Sequence, residues 1–274
     1  MLEILTSYLT YDFVQHALIA GSLAGALSAV IGYFVVIRRT SFAAHALAHI
    51  GFTGATGAAL LAISPMFGML GISALAGALM GAFGNRIEQR DIAIGMVLSI
   101  ALGVGLLFLA LYRGFSGQAS AILFGNIFGV SSAAISQMIW LAAGTLIGLL
   151  LFSRRLFFAS IQPDLAEARG ISLAGMSIAF MVIVAIAVTL ASQVVGILLV
   201  FALIIGPAGI AARLARTFWQ GMIASVCIAL VAVSAGILIA CATSLPPSFW
   251  ITAILFALYA ASELVARCTH GRIA

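Results

Sequence analysis

The sequence contains no lysine; all twelve of its basic residues are arginine. A nucleotide-binding P-loop needs its lysine to reach the phosphates, so this chain cannot be its own Walker-type ATPase. Charge of either sign is scarce, at 7% of residues, where a soluble domain carries about 25%. Nothing here could coat a water-soluble globule of 274 residues. The three cysteines (Cys227, Cys241 and Cys268) are odd in number and scattered, with no C-x-x-C pair. They suggest neither a disulfide framework nor a thiolate metal site. The first dozen residues hold Glu3 and Asp12 but no arginine, the reverse of a positive leader, so no cleavable signal is expected. Carboxylates are few as well: Glu3, Asp12, Glu88, Asp91, Asp164, Glu167 and Glu263. Six of these seven fall at ends or joints of apolar runs, and Glu263 lies in the last turn of the final run. A transporter driven by a proton or sodium gradient usually carries acids within its spans, and none stands at a midplane position here. G-x-S-x-G, H-E-x-x-H and paired buried carboxylates are all missing, which ranks an intramembrane enzyme last.

What the chain has in abundance is apolar length. Hydrophobic residues make up 64% of it, mostly in runs of about 20, the length that crosses a hydrocarbon core of roughly 30 Å as a helix. The runs are apolar on both parities, unlike the alternation of a membrane barrel. The expected fold is therefore an all-α polytopic membrane protein, a bundle of about nine transmembrane helices over 14–37, 42–63, 65–84, 92–112, 134–153, 172–190, 194–212, 219–241 and 248–266. The joints carry turn residues or charge: Arg38–Ser41, Ser64–Pro65, Asn85–Asp91, Arg113–Ser132, Arg154–Ile171, Ser192–Gln193, Arg213–Thr217 and Thr243–Pro247. With the N-terminus outside and the C-terminus cytoplasmic, eleven of the twelve arginines fall inside and only Arg113 outside. That bias supports both the count and the orientation, and reads the net charge of +5 as topology. Residues 119–130 are apolar but too short to cross, and suit a re-entrant or interfacial piece on the outer side. Residues 1–274 read as a single transmembrane domain with no visible repeat.

The second span opens on Ser41, a candidate N-cap, and places His45 and His49 four residues apart on one face. Ionisable groups at such depth usually face a bundle interior or a water-filled path. Imidazole suits zinc, copper, iron and nickel, but zinc takes about four ligands, and a second copy of the chain across a two-fold axis would present another pair. The plain alternative is polar glue between helices. His16 reads as interfacial and His270 as a solvated tail residue. Gly51, Gly54 and Gly57 read as a close-packing stripe. Pro207 interrupts the seventh span and is a candidate kink or gate. In the inner joint 154–171, Gln162, Pro163, Asp164, Glu167, Arg169 and Gly170 have the grammar of a short helix: Pro and acid first, Arg late, Gly to stop. Its mixed charge favours a docking surface over a lipid-surface helix.

Several of these pieces occur together. Arg38-Arg39-Thr-Ser41-Phe precedes the His pair, and Asp91-Ile-Ala-Ile-Gly95 opens the fourth span. Leu123-Phe-Gly-Asn-Ile127 lies in the outer segment and Asp164-x-Ala166-x-Ala168-Arg-Gly170 in the inner joint, and Val195-Gly-Ile-Leu-Leu-Val200 leads to Pro207-Ala in the seventh span. In this order, over nearly the whole length, the chain resembles the permease subunits of ABC-type zinc/manganese importers. The resemblance implies a multi-pass protein of a bacterial inner membrane and a homodimer. It also implies a cytosolic ATPase dimer docked on the inner joint, and a periplasmic or surface-anchored metal-binding protein that delivers the ion. Nucleic acid has no place in it. No cofactor is expected to stay bound; the divalent metal is cargo. The family's metal position on the second span is an Asp and a His four apart. His49 matches that His, while His45 stands where the family usually has Asp and Ala44 where it usually has Gly. Imidazole in place of a hard carboxylate oxygen favours zinc slightly over manganese, with iron a further option, and leaves the metal open. The expected mechanism is alternating access, with transport falling in acid because the ligands must be neutral. The alternatives are a related permease for a metal chelate or cobalamin-like cargo, and a gradient-driven metal transporter.

Overall fold

The computed structural model describes residues 10–82, 87–112, 123–197, 199–243 and 245–270, with side chains left out at 87–90 and 265–270. Arg86, Arg113, Arg272 and residues 119–122 lie outside the described residues, as do the side chains of Arg90, Arg267, Cys268 and His270.

Each of the nine apolar runs is a helix. In chain order they are α1 (Asp12–Ile37), α2 (Ser41–Leu60), α3 (Pro65–Ala82), α4 (Ile87–Leu111) and α5 (Ser132–Ile161), then the short α6 (Pro163–Ala168), then α7 (Leu173–Val195), α8 (Val200–Leu214), α9 (Phe218–Thr243) and α10 (Pro247–His270). No strand occurs among the described residues. Seven of the helices are long and apolar enough to cross a membrane. The other two of the nine are α8, which has only 15 residues, and α2, whose histidines, glycines and threonines dilute its apolar character.

Between spanning helices lipid tails are as apolar as leucine, so close packing of small residues replaces the hydrophobic effect as the cohesive force. Of the seven long apolar helices, α1 and α7 are the most buried and form the centre. On one side α3 and α2 lean on α7 while α4 packs on α2; on the other α8 and α9 gather against α1, and α10 packs on α8 and α9. Glycines mark the contacts. A Cβ at Gly32 of α1 would lie 1.9 Å from the Ile204 carbonyl oxygen of α8, and one at Gly77 of α3 would lie 2.7 Å from the Met181 carbonyl oxygen of α7.

One end of the bundle collects arginine. Arg38 donates to Ser160 Oγ at 2.9 Å and lies 5.1 Å from the Phe180 ring centroid. Arg213 of α8 pairs with Glu263 of α10 and donates to the Tyr259 hydroxyl at 2.7 Å. Glu263 is thus committed to an ion pair, and it is not in a last turn as expected, because α10 runs on to His270. At the opposite end, Gly125 (φ +77) and Gly196 (φ +82) press backbone to backbone. Ser248 donates to the carbonyls of Phe124 at 3.1 Å and Val195 at 3.4 Å. The described part of the 119–130 segment caps this end, with Ile127 buried against Gly21 of α1.

Three expected boundaries move. The joint read at Ser192–Gln193 is helix: Ser192 Oγ donates to the Val188 carbonyl at 2.7 Å, and α7 runs on to the positive-φ Gly196. Thr40, not Ser41, is the residue before α2, and no side chain caps that end. The inner joint is shorter than 154–171, because α5 continues as helix through Ile161. Pro207 sits inside α8 without ending it; neighbouring groups in a packed membrane helix absorb the missing bond.

Candidate functional site

The turn that launches α2 is tight. Arg39 adopts φ 53, and the Thr40 amide bonds back to the Val35 carbonyl at 3.0 Å, closing the end of α1. The back of α2 is then pinned. A Cβ at Gly54 would lie 2.2 Å from the Gly68 carbonyl oxygen of α3. Ser73 of α3 donates to the Leu47 carbonyl at 3.4 Å, and Thr53 donates to the Ala101 carbonyl of α4. The glycine stripe therefore does what its spacing implied, and holds the helix at close range.

This leaves one open face on the inner half of α2. Ala43, Ala44, Ala46, Leu47, Ala48 and Ile50 are buried, while His45 and His49 are half-buried and Phe42 is exposed. The imidazole centroids lie 4.7 Å apart with ring planes at 79°. Two imidazoles that share a zinc ion through nitrogens about 2.0–2.1 Å away set their centroids roughly 5 Å apart. The observed spacing is therefore close to that of a shared ion. His45 Nδ1 is buried with no hydrogen-bond partner, which is costly for a neutral polar atom unless a ligand meets it.

Phe201 of α8 flanks the pair, its ring centroid 4.8 Å from that of His45 at 73°. No motif in the sequence pointed to Phe201; only the approach of α8 to α2 brings it there. Among the described residues no third His, Cys, Asp or Glu joins the histidines. His16 sits near the start of α1, in the half of the bundle opposite the inner end of α2, and takes no part. A cavity of about 500 Å³, walled by Gly54, Gly57 and Phe108 among others, is apolar and excludes both histidines.

The inner helix α6 is built as its sequence suggested. Pro163 opens it and Asp164 stands in its first turn. Gly170 (φ +78) ends it, and the Ile171 amide reaches the Ala166 carbonyl at 3.0 Å. Only Ala166 is buried; Gln162, Pro163, Asp164, Leu165, Glu167, Arg169 and Gly170 are all exposed. Arg169 lies 5.2 Å from the Phe158 ring centroid, bracing the helix on α5.

The fold has counterparts among known proteins. The family model of the ABC 3 transport family matches residues 10–266. The manganese transport system membrane protein MntC of Listeria monocytogenes is 32% identical, over 76% of this chain and 74% of that protein. The high-affinity zinc uptake system membrane protein ZnuB of Haemophilus influenzae is 26% identical, over 76% of this chain and 80% of that protein. Among solved structures, PsaBC from Streptococcus pneumoniae in complex with Fab superposes with a TM-score of 0.86 at 24% identity, covering 96% of this chain and 95% of that one.

Proposed function

This chain belongs to the ABC 3 transport family, and from that membership we propose that it is the membrane subunit through which a divalent metal ion, zinc in preference to manganese or iron, enters the cytoplasm. The observation that carries the metal reading is the stacked pair His45 and His49, 4.7 Å apart on the open face of α2. Relatives named for manganese and zinc transport support it. Two imidazoles leave a zinc ion short of its usual four ligands. Water, or the same pair from a second copy across a two-fold axis, would supply the rest. Incomplete coordination suits a way-station, since cargo held by a full protein shell would leave slowly.

Hydrolysis of ATP belongs to a cytosolic partner dimer, which docks on α6 and the residues beside it. Motion of that docked helix passes through α5 and α7, between which it hangs, to the packed spans. It turns the histidine face from the outer to the inner side. Phe201, seated on the His45 ring, and Pro207, two turns further along α8, place that helix in the gate. A metal-binding protein at the outer surface delivers the ion.

The test is uptake of zinc into vesicles holding this chain and its ATPase. A His45→Ala, His49→Ala double variant should lose at least about tenfold in rate. Uptake should also fall in acid, because protonated imidazole cannot ligate. Unaltered uptake by the double variant would remove the central site.

A further inference from the structure

A second crevice, on the flank of the bundle, is unrelated to the histidines. It has a volume of about 340 Å³ and lies between α1, α5 and α9, within the range of small-ligand sites. Its floor and sides are apolar, from Leu146 and Leu150 of α5 to Phe218 and Met222 of α9, and Arg154 stands at one end. From Leu146 to Arg154 the groove follows α5 for about 12 Å.

The walls are rigid. Phe218 is the hub of an aromatic cluster, with ring centroids 5.4 Å from Tyr33, 5.4 Å from Phe34, 4.7 Å from Phe157 and 5.6 Å from Trp219. Neighbouring side chains have not collapsed into the space. Trp219, 64% exposed, stands beside the charged end as interfacial tryptophans do. Arg154 is exposed, and among the described residues no carboxylate pairs with it. The Ser153 hydroxyl next to it is already donated to the Leu150 carbonyl at 2.8 Å.

We propose that this crevice holds one anionic phospholipid, an acyl chain lying along α5 and the headgroup phosphate on Arg154. The charge matches the occupant. Arg154 lies at the arginine-rich end that the topology assigns to the cytoplasm, where the leaflet is anionic, and basic pockets between spanning helices bind such headgroups. The long apolar groove behind the charge selects a lipid over a free phosphate.

Native mass spectrometry of the delipidated full-length chain, titrated with phosphatidylglycerol and with phosphatidylcholine of the same acyl chains, tests this. The wild type should take up one phosphatidylglycerol with about fivefold preference or better. Arg154→Gln should lose that preference, and Arg154→Lys should keep it. Leu150→Trp, which fills the groove and leaves the charge, should lose the bound lipid while remaining monodisperse and helical by circular dichroism. Equal binding of the two lipids would overturn the proposal. So would an equal loss from Arg155→Gln, whose side chain does not line the crevice, since that would mean general surface attraction. Cross-linking of Leu150→Cys to a second copy of the chain in native membranes would show the groove to be a subunit contact and would overturn it too.

Discussion

His45 and His49 differ in how far the surrounding chain commits them. His45 touches Phe201 and keeps a buried, unpartnered Nδ1, while His49 meets His45 from one turn further along α2. Changing His45 to a carboxylate replaces a borderline nitrogen by a hard oxygen without altering the helix. His45→Asp should therefore shift competition between metals toward manganese, several-fold by uptake with both ions present. An unchanged ratio would mean that position 45 does not touch the cargo. A second residue-scale prediction concerns the outer loop after α2. Ala62 adopts φ 58, a left-handed conformation that crowds a Cβ at a cost of roughly 1–2 kcal/mol. Ala62→Gly removes that Cβ and should raise the thermal midpoint in detergent, with a gain near 1 kcal/mol after the entropy cost of glycine.

At the scale of the helix, glycines sort into those that hold neighbours together and those that face open space. Gly54 and Gly68 meet at backbone contact between α2 and α3, whereas an added Cβ at Gly144 of α5 meets nothing within 4 Å. Gly54→Ala should cost about 1–3 kcal/mol and slow uptake by displacing the histidine helix, while Gly144→Ala should do neither. Thermal unfolding of the two variants side by side checks this. The sequence made such elements legible because apolar length and glycine spacing are local properties. The nine apolar helices, the Gly51–Gly57 stripe and the capping of α6 by Gly170 could be read one segment at a time. The break between α7 and α8 could not. Ser192 and Gln193 look like a turn, yet a serine hydroxyl in a membrane helix is satisfied by the carbonyl four residues back. The true break, at Gly196, is set by Gly125 pressing on it from 71 positions away in the chain. For the same reason the histidine pair was visible in advance and Phe201 was not.

For the whole molecule, the organising fact is that the described arginines gather at one end while the 123–130 segment closes the other. α6 hangs at the arginine end with a single side chain buried. It can be altered without disturbing the core, which makes it a clean probe of assembly. Leu165, 45% exposed on its outer face, should be an anchor for the ATPase. Leu165→Glu should abolish co-purification of the ATPase and ATP-driven uptake while leaving the thermal midpoint within about 0.5 kcal/mol of wild type. Retained co-purification would move the docking surface elsewhere.

The knot of Gly125, Gly196 and Ser248 has a bearing on biogenesis. Its strands come from three distant parts of the chain, and the hydroxyl that ties them belongs to the first turn of the last helix. A ribosome delivers that hydroxyl only after eight of the nine apolar helices have been made. The far side of the nascent protein therefore stays unlaced until α10 has been made and its first turn reaches the Gly125–Gly196 contact.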